Sequence, residues 1–338
     1  MKNLIYLIIS LTGLVSCSSS PKKSAYLELS GRTMGTSYSI NYRDSLGRNF
    51  GPAIDSLLEG INAEVSTYIP SSTISQWNQS ESGIKIDDRP HFLRNYLLAK
   101  QVFEESDGWL DPSLMPLVNY WGFGYTEKRP VLAVDSQQVD SLQALCAFDQ
   151  LRLEKGYLYK DKAASELDFS ALAKGDAVDE LGRYLEAEGI RDYMVEIGGE
   201  LRLRGHQEGA EGWFIGINLP KTDADLKEIQ NIVELKNYSL ATSGNYRNFY
   251  EVEGQKYAHT INPKTGYPEK SQLLSASIFA PNCGRADAWA TACMAMGLER
   301  AQQLLPKYKT LEAHLIYVDS LGQLQTWSTP KAKTWIKK

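Results

Sequence analysis

Apolar side chains recur along the chain with two different periods, which separate predicted helices from predicted strands. Residues 91–105 and 176–188 repeat apolar positions about every 3.6 residues, the period of a helix with one buried face. Asp107-Gly108 ends the first of these helices, and Gly189 ends the second. Further helices are expected over residues 53–65, 284–296 and 299–305. An irregular segment is expected over residues 111–124, because it contains Pro112, Pro116, Gly122 and Gly124.

Shorter apolar segments bounded by turn residues predict β-strands. Residues 193–197 and 201–204 flank Gly198-Gly199, which indicates a hairpin. Residues 27–40 predict a pair of strands interrupted at 31–36. More strands are expected at 214–219, 232–235, 239–242, 258–261, 274–280 and 314–318. Strands and helices are mixed without strict βαβ alternation, so the expected fold class is α+β, with mixed or antiparallel sheets and packed helices.

The N-terminal residues have the pattern of an export signal followed by a lipid attachment site. Met1-Lys2-Asn3 is a short positive segment, and residues 4–15 are apolar but too few to span a bilayer comfortably. We expect residues 1–16 to be removed as a signal peptide and Cys17 to be lipidated. Residues 17–25 would then tether a domain at 26–338 to a bacterial membrane, facing the periplasm or the cell exterior. The alternatives are an uncleaved anchor helix and a secretory signal with an incidental cysteine.

The overall composition narrows the possible functions. The 338 residues include 36 basic and 41 acidic side chains, a formal net charge of −5, which gives no indication of a nucleic-acid-binding face. After Cys17, an odd number of cysteines remains, and none has the spacing of a zinc motif. We expect these cysteines to be thiols in the core. The alternative is that two of them form one disulfide bridge in an oxidising compartment. The four histidines are scattered, so a histidine metal cluster finds no support.

Asp287 and Thr291 are the first candidate pair for metal chemistry. Residues four apart share a face of a helix, so the carboxylate and the hydroxyl can reach one ion. Hard cations such as Mg²⁺ prefer oxygen ligands and keep positions open for water and phosphate. The alternative is an aspartate stabilised by the helix macrodipole beside an incidental threonine.

Three other segments carry weaker signals. Residues 168–176 lead from a strand-like segment into a helix, where backbone groups and Lys174 can bind phosphate; a capped helix start explains them too. His259 precedes a turn fixed by Pro263 and Gly266, and can act as a general base or as a structural histidine. Residues 32–36 permit close backbone approach to a ligand, or form a strand bulge.

Seven motifs in a fixed order resemble those of the ApbE family of FAD:protein FMN transferases, also called flavin transferases. The resemblance runs from about residue 30 to residue 300. The motifs are Thr-Met-Gly-Thr (33–36), Asp-Pro-Ser-Leu-Met-Pro-Leu-Val-Asn-Tyr-Trp-Gly-Phe-Gly (111–124), Asp-Phe-Ser-Ala-Leu-Ala-Lys-Gly (168–175), Val-Glu-Ile-Gly-Gly-Glu (195–200), Ala-Thr-Ser-Gly-Asn-Tyr-Arg (241–247), His-Thr-Ile-Asn-Pro-Lys-Thr-Gly-Tyr-Pro (259–268) and Ala-Asp-Ala-Trp-Ala-Thr-Ala (286–292).

The resemblance implies an ApbE-like, T-fold-related architecture and a set of site residues. It assigns Mg²⁺ to the carbonyl of Ala171 and to the side chains of Asp287 and Thr291. It assigns the role of base to His259. It assigns contacts with FAD, the substrate, to Met34, Tyr68, Trp109, Leu110, Asp111, Asp168, Lys174 and Ile261. The implied reaction passes the FMN half of FAD to a Thr or Ser hydroxyl of an exported flavoprotein subunit and releases AMP.

Two departures and two alternatives accompany this prediction. Asn245 stands where the family usually has Asp, and Trp109 stands where Phe is common; both residues keep a similar shape. The implied partners are subunits of membrane NADH:quinone or ferredoxin:NAD oxidoreductases.

The same residues would also serve a Mg²⁺-dependent FAD pyrophosphatase, in which water replaces the protein hydroxyl. A non-catalytic FAD-binding lipoprotein is the remaining alternative, and retention of Asp287, Thr291 and His259 argues against it.

Overall fold

The structure is a computed structural model that describes residues 26–124, 131, 134–218, 229–244, 249–252, 255–258, 260–269 and 271–337. The signal peptide and tether predicted for residues 1–25 lie outside these ranges. The helices are α1 (Gly51–Val65), α2 (Thr73–Gln79), α3 (Pro90–Glu105), α4 (Met115–Tyr120), α5 (Ser136–Gln143), α6 (Ala173–Ala187), α7 (Cys283–Met296), α8 (Leu298–Leu304) and α9 (Pro330–Trp335).

The strands are β1 (Tyr26–Thr33), β2 (Thr36–Arg43), β3 (Gly83–Lys85), β4 (Arg152–Glu154), β5 (Tyr157–Tyr159), β6 (Tyr193–Ile197), β7 (Glu200–Arg204), β8 (Trp213–Asn218), β9 (Ile229–Leu235), β10 (Ser239–Gly244), β11 (Phe249–Val252), β12 (Gln255–Ala258), β13 (Leu273–Ala280), β14 (Glu312–Val318), β15 (Leu324–Ser328) and β16 (Ile336–Lys337). Eight of them form one sheet in the order β1-β2-β6-β7-β10-β13-β14-β15, and every neighbouring pair is antiparallel. The described chain therefore has the predicted α+β class, with antiparallel sheets.

The large sheet has a helical layer on one face and a small sheet on the other. Because successive strand residues point to opposite faces, neighbouring apolar residues serve different cores. Ala241 and Ile278 face the core shared with the helices, including α6 and α7. Leu240 and Phe279 face the small sheet β16-β9-β8, where they meet Trp213 and other apolar side chains. The large sheet is thus buried on both faces across its middle strands.

The first hairpin explains the interruption predicted at 31–36. β1 and β2 pair in register up to Thr33 and Thr36, so only Met34 and Gly35 form the turn. Both residues have positive φ, 48° and 74°, as the tight turns that match the twist of a hairpin require. The alternative of a strand bulge is wrong at this position.

The segment 111–124 is more regular than its proline and glycine content predicted. It contains α4, because Pro116 falls in the first turn of that helix, where the missing N–H has no helical acceptor to lose. Leu117 and Trp121 of this segment pack with Val139 and Ile261 in a small core of their own. The expectation of no regular element over 111–124 was therefore wrong.

The three described cysteines carry free thiols. Cys283 and Cys293 are buried in α7, and Cys146 is partly buried, in agreement with the expectation of core thiols. Within the described ranges, no helix combines the length and the apolar character that crossing a membrane requires.

Candidate active site

Helix α7 carries Asp287 and Thr291 on one face, one turn apart. The helix contacts β10, β13 and α6, and most of its residues are buried. Alanine is its most frequent residue, and apolar residues are buried all round the helix, as expected of a helix in a core. Asp287 is 3% exposed, so its carboxylate is almost completely buried. The Thr291 hydroxyl lies 3.4 Å from the hydroxyl of Ser243 on β10.

The first turn of α6 supplies the nearest backbone donor to Asp287. The N–H of Gly175 donates to Asp287 Oδ2 at 3.1 Å. Any side chain at position 175 would collide with α7, since a Cβ there would lie 2.5 Å from the carbonyl oxygen of Cys283 and 2.8 Å from Asp287 Cβ. Glycine therefore allows the α6 N-terminus, the positive end of its macrodipole, to approach the buried carboxylate.

Lys174 lies between two buried carboxylates. Its ammonium is 3.2 Å from Glu200 Oε1 and 4.0 Å from Asp287 Oδ2. Burial works against the ammonium, but Asp287 and Glu200 outweigh it and raise the pKa of Lys174 above its ordinary value. Burial and the carboxylate of Asp287 raise the pKa of Glu200 above its ordinary value, while Lys174 opposes that shift, and burial also raises the pKa of Asp287. This end of the site therefore holds two carboxylates that an additional positive charge would stabilise.

Two Asp-x-Ser turns lie side by side next to this charged cluster. Asp111 Oδ1 accepts hydrogen bonds from the N–H and hydroxyl of Ser113, at 2.8 and 2.6 Å. Asp168 receives the same pair of bonds from Ser170, at 3.0 and 2.6 Å. The N–H of Asp168 donates to the carbonyl of Pro112 at 2.8 Å, which joins the two turns. Burial raises the pKa of both aspartates.

The aromatic side of the site begins where α3 ends. Asp107 and Gly108 have φ of 56° and 69°, and this left-handed turn directs Trp109 inward. Trp109 is 7% exposed, and two cations lie near its ring: Lys264 Nζ at 5.9 Å and the Arg300 guanidinium at 5.1 Å from the ring centroid. Lys264 also donates to the carbonyl of Asp107 at 2.6 Å, which ties the turn at 262–266 to the end of α3.

These elements surround one cavity of about 680 Å³, a volume within the range of small-molecule and cofactor sites. Its lining includes most of the site residues predicted from the sequence: Tyr68, Trp109, Leu110, Asp111, Asp168, Ala171, Lys174, Ile261, Asp287 and Thr291. Met34 does not line it; that residue forms the β1–β2 turn and packs partly buried against the main core. His259 and Asn245 lie outside the described residues, as does Cys17.

Comparison with known proteins identifies the family. A model of the ApbE family matches residues 34–315. The chain belongs to the ApbE family. Curated relatives within this family are named FAD:protein FMN transferase. The one from Vibrio cholerae is 37% identical over 304 residues, which cover 89% of each chain. The one from Haemophilus influenzae is 34% identical over 326 residues, covering 94% of this chain and 93% of the relative.

Solved structures of ApbE proteins share the fold. The flavin transferase ApbE from Vibrio cholerae superimposes with a TM-score of 0.83 at 33% identity, covering 92% of this chain and 99% of that one. The apo form of the Pseudomonas stutzeri flavinyl transferase ApbE gives 0.83 at 29% identity, covering 92% and 97%. The predicted ApbE-like α+β architecture is confirmed, and the relatives carry the name of a transferase, the enzyme class predicted for this chain.

The structure adds site residues to which the sequence analysis gave no role. Glu200, Thr242 and Ser243 all line the cavity. Each belongs to a motif that supports the ApbE resemblance, but its residue type alone indicated no chemistry. Glu200 follows the Gly198-Gly199 turn, and a glutamate at a hairpin end is usually solvated. Here it is only 5% exposed.

Proposed function

We propose that this ApbE protein transfers the FMN half of FAD to a Thr or Ser hydroxyl of an exported flavoprotein subunit and releases AMP. The shared name of its relatives supports FAD as substrate and a protein as acceptor. The observation that carries the proposal is the buried group of Lys174, Glu200 and Asp287 in the wall of the large cavity. A pyrophosphate is the part of FAD that requires positive charge, and aromatic and apolar residues in another part of the cavity lining, including Trp109, Leu110 and Phe123, offer contacts to the rings.

The residues of this site fit a divalent cation such as Mg²⁺. Two buried carboxylates face each other across one lysine, and their raised pKa values reflect burial that a cation would compensate. Within the described residues, no group of three His, Cys, Asp or Glu side chains could hold a metal ion. A cation here would therefore need the hydroxyl of Thr291 and the carbonyl of Ala171 besides Asp287, as oxygen-preferring Mg²⁺ accepts. Bound there, it would offset negative charge on the pyrophosphate.

The protein's own groups would position the pyrophosphate and move one proton. Lys174 presents a positive charge in the cavity, and the turns at Asp111 and Asp168 are held rigid by their serine partners. The acceptor hydroxyl oxygen forms a bond to the phosphorus of the FMN half. The bond from that phosphorus to the bridging oxygen breaks, and AMP departs with the bonding electrons. His259 is proposed to take the hydroxyl proton as general base.

The proposal also covers the acceptor proteins and the location of the enzyme. The acceptors would be subunits of membrane redox complexes of the NADH:quinone or ferredoxin:NAD oxidoreductase type. Lipidation of Cys17 would keep the enzyme at the membrane surface where these subunits lie. Tyr68, which is 71% exposed at the cavity, is positioned to meet an incoming protein segment.

The decisive experiment incubates the protein with FAD, Mg²⁺ and a peptide that carries the acceptor threonine. Covalent flavin fluorescence on the peptide, together with stoichiometric AMP, is the expected result. Release of FMN and AMP without labelled peptide would make the protein an FAD pyrophosphatase. Binding of FAD with no turnover would make it a carrier. Asp287→Asn is the matched variant, since it preserves shape and removes one charge; labelling at the wild-type rate in this variant would refute the cation site.

A further inference from the structure

We propose that Glu200 is a positioning residue that draws the ammonium of Lys174 away from Asp287 and so leaves Asp287 available to a divalent cation. This inference rests on the proposed function, because it assumes a cation at Asp287. Lys174 lies nearer to Glu200, at 3.2 Å, than to Asp287, at 4.0 Å. A lysine that paired fully with Asp287 would instead compete with the cation for the same carboxylate.

Glu200 is held rigidly enough to perform this role. It is the first residue of β7, directly after Gly198 and Gly199, whose positive φ values of 60° and 101° form a tight turn. Its neighbour across the hairpin is Ile197, a buried residue of β6. Sites built on paired strands hold their side chains more accurately than sites built on loops. The carboxylate of Glu200 therefore has a fixed place from which to orient a flexible lysine.

The hydrogen-bonding of Glu200 indicates that Lys174 is its principal partner. The side chain is buried, and among the described residues its Oε2 receives no hydrogen bond. A buried carboxylate without donors is costly unless a positive charge lies beside it. Lys174 supplies that charge through Oε1, so the two side chains depend on each other. Asp287 has a further donor in the N–H of Gly175, so the lysine is not its only stabilising neighbour.

The arrangement predicts opposite changes in cation affinity when Glu200 and Lys174 are replaced. In Glu200→Gln, the neutral amide attracts the ammonium less than Asp287 does, so Lys174 shifts toward Asp287 and opposes the cation. In Lys174→Gln, the competing charge is absent, so the cation binds more tightly although FAD binds less well. If Glu200 acts through Lys174, removing Glu200 in the Lys174→Gln background changes nothing further.

The test measures Mn²⁺ binding to the full chain without FAD, by the loss of the free-ion electron paramagnetic resonance signal. We expect Kd to rise at least tenfold in Glu200→Gln, to fall severalfold in Lys174→Gln, and to stay within twofold of the latter in the double variant. Glu154→Gln is the charge-matched control, because its exposed side chain lies outside the cavity lining; its Kd should equal that of the wild type. Glu200→Asp, which keeps the charge, should restore most of the affinity.

Three results would overturn the inference. An unchanged Kd in Glu200→Gln would show that Glu200 has no influence on the cation. An equal loss in the Lys174→Gln background would show that Glu200 acts on the cation directly. Weaker binding in Lys174→Gln would show that the lysine does not compete. Failure of the assumed cation site has a separate signature, since Asp287→Asn would then bind Mn²⁺ as well as the wild type. Failure of FMN transfer itself is detected by the peptide-labelling experiment and not by Mn²⁺ binding.

Discussion

Replacing Gly175 by alanine tests whether the close approach of α6 to α7 positions the site. A methyl group at this position would lie 2.5 Å from the carbonyl oxygen of Cys283, whereas ordinary contacts to a Cβ are 3.4 Å or longer. The contacting atoms belong to the backbone of α7 and to Asp287 Cβ, so a side-chain rotation cannot relieve the collision. The two helices must separate by about 0.9 Å, the difference between these distances.

The expected cost has two opposing contributions. Overpacking a buried interface costs about 1–3 kcal/mol. Alanine in a helix interior is favoured over glycine by about 1 kcal/mol, which offsets part of that cost. We therefore expect Gly175→Ala to lose up to about 2 kcal/mol in the free energy of unfolding. The effect on catalysis should be larger, since a displacement of about 1 Å at reacting groups can reduce the rate about 100-fold.

Equilibrium urea unfolding and the rate of FMN transfer to an acceptor peptide measure the two effects. Gly60→Ala is the matched control, because Gly60 also lies within a helix, α1, and its added Cβ would meet only His91 Nε2 at 3.9 Å. That variant should be as active as the wild type and about 0.5–1 kcal/mol more stable. If Gly175→Ala were as stable as Gly60→Ala and retained wild-type activity, the steric argument for α6 and α7 would be wrong.

Three further outcomes test other parts of the molecule. Lys160→Met should lower the free energy of unfolding by about 3 kcal/mol in a urea titration. The buried Lys160 ammonium donates to the carbonyls of Asn78, Ala163 and Ser165 at 2.8–2.9 Å, and each carbonyl would lose this donor. Lys85→Met is the control, because the Lys85 side chain is exposed and its replacement should cost little. His259→Ala should slow FMN transfer at least 100-fold while FAD affinity, measured by flavin fluorescence, persists. Cys17→Ser should move the protein from the membrane to the soluble fraction after cell fractionation.

Long elements with a clear period were predictable from the sequence, whereas short ones were not. Helices α3 and α6 follow the apolar repeat of their sequences, and their observed starts differ from the predicted ones by one and three residues. Helix α5 has eight residues with one buried side chain, Val139, so its sequence contains almost no repeat. Strand β15 buries only its last residue and is held by pairing with β14. Such elements are stabilised by tertiary contacts, which a local sequence pattern does not reveal.

In the site, the sequence indicated some of the residue types, whereas their positions relative to one another depended on the fold. Motif resemblance selected Asp287 and Lys174, but they lie 113 positions apart, and only the fold brings their charges within 4.0 Å. Met34 illustrates the reverse, because its motif is present while the residue forms a hairpin turn and is not among the residues that line the cavity. Glu200 carried no distinguishing signal, since burial of a glutamate depends on the helices packed above its strand.

The burial of charge is the strongest physical indication that this region serves chemistry rather than stability. Replacing a buried ion pair by apolar residues of similar volume is often neutral or stabilising, so folding alone gives little reason to keep Lys174, Glu200 and Asp287 within an alanine-rich layer. Charged groups whose pKa values are shifted by burial concentrate at functional sites. The cost of holding two carboxylates beside one lysine becomes understandable if a cation and a pyrophosphate share the same space during the reaction. The net charge of this cluster, rather than any single side chain in it, would then decide which ions and molecules the cavity binds.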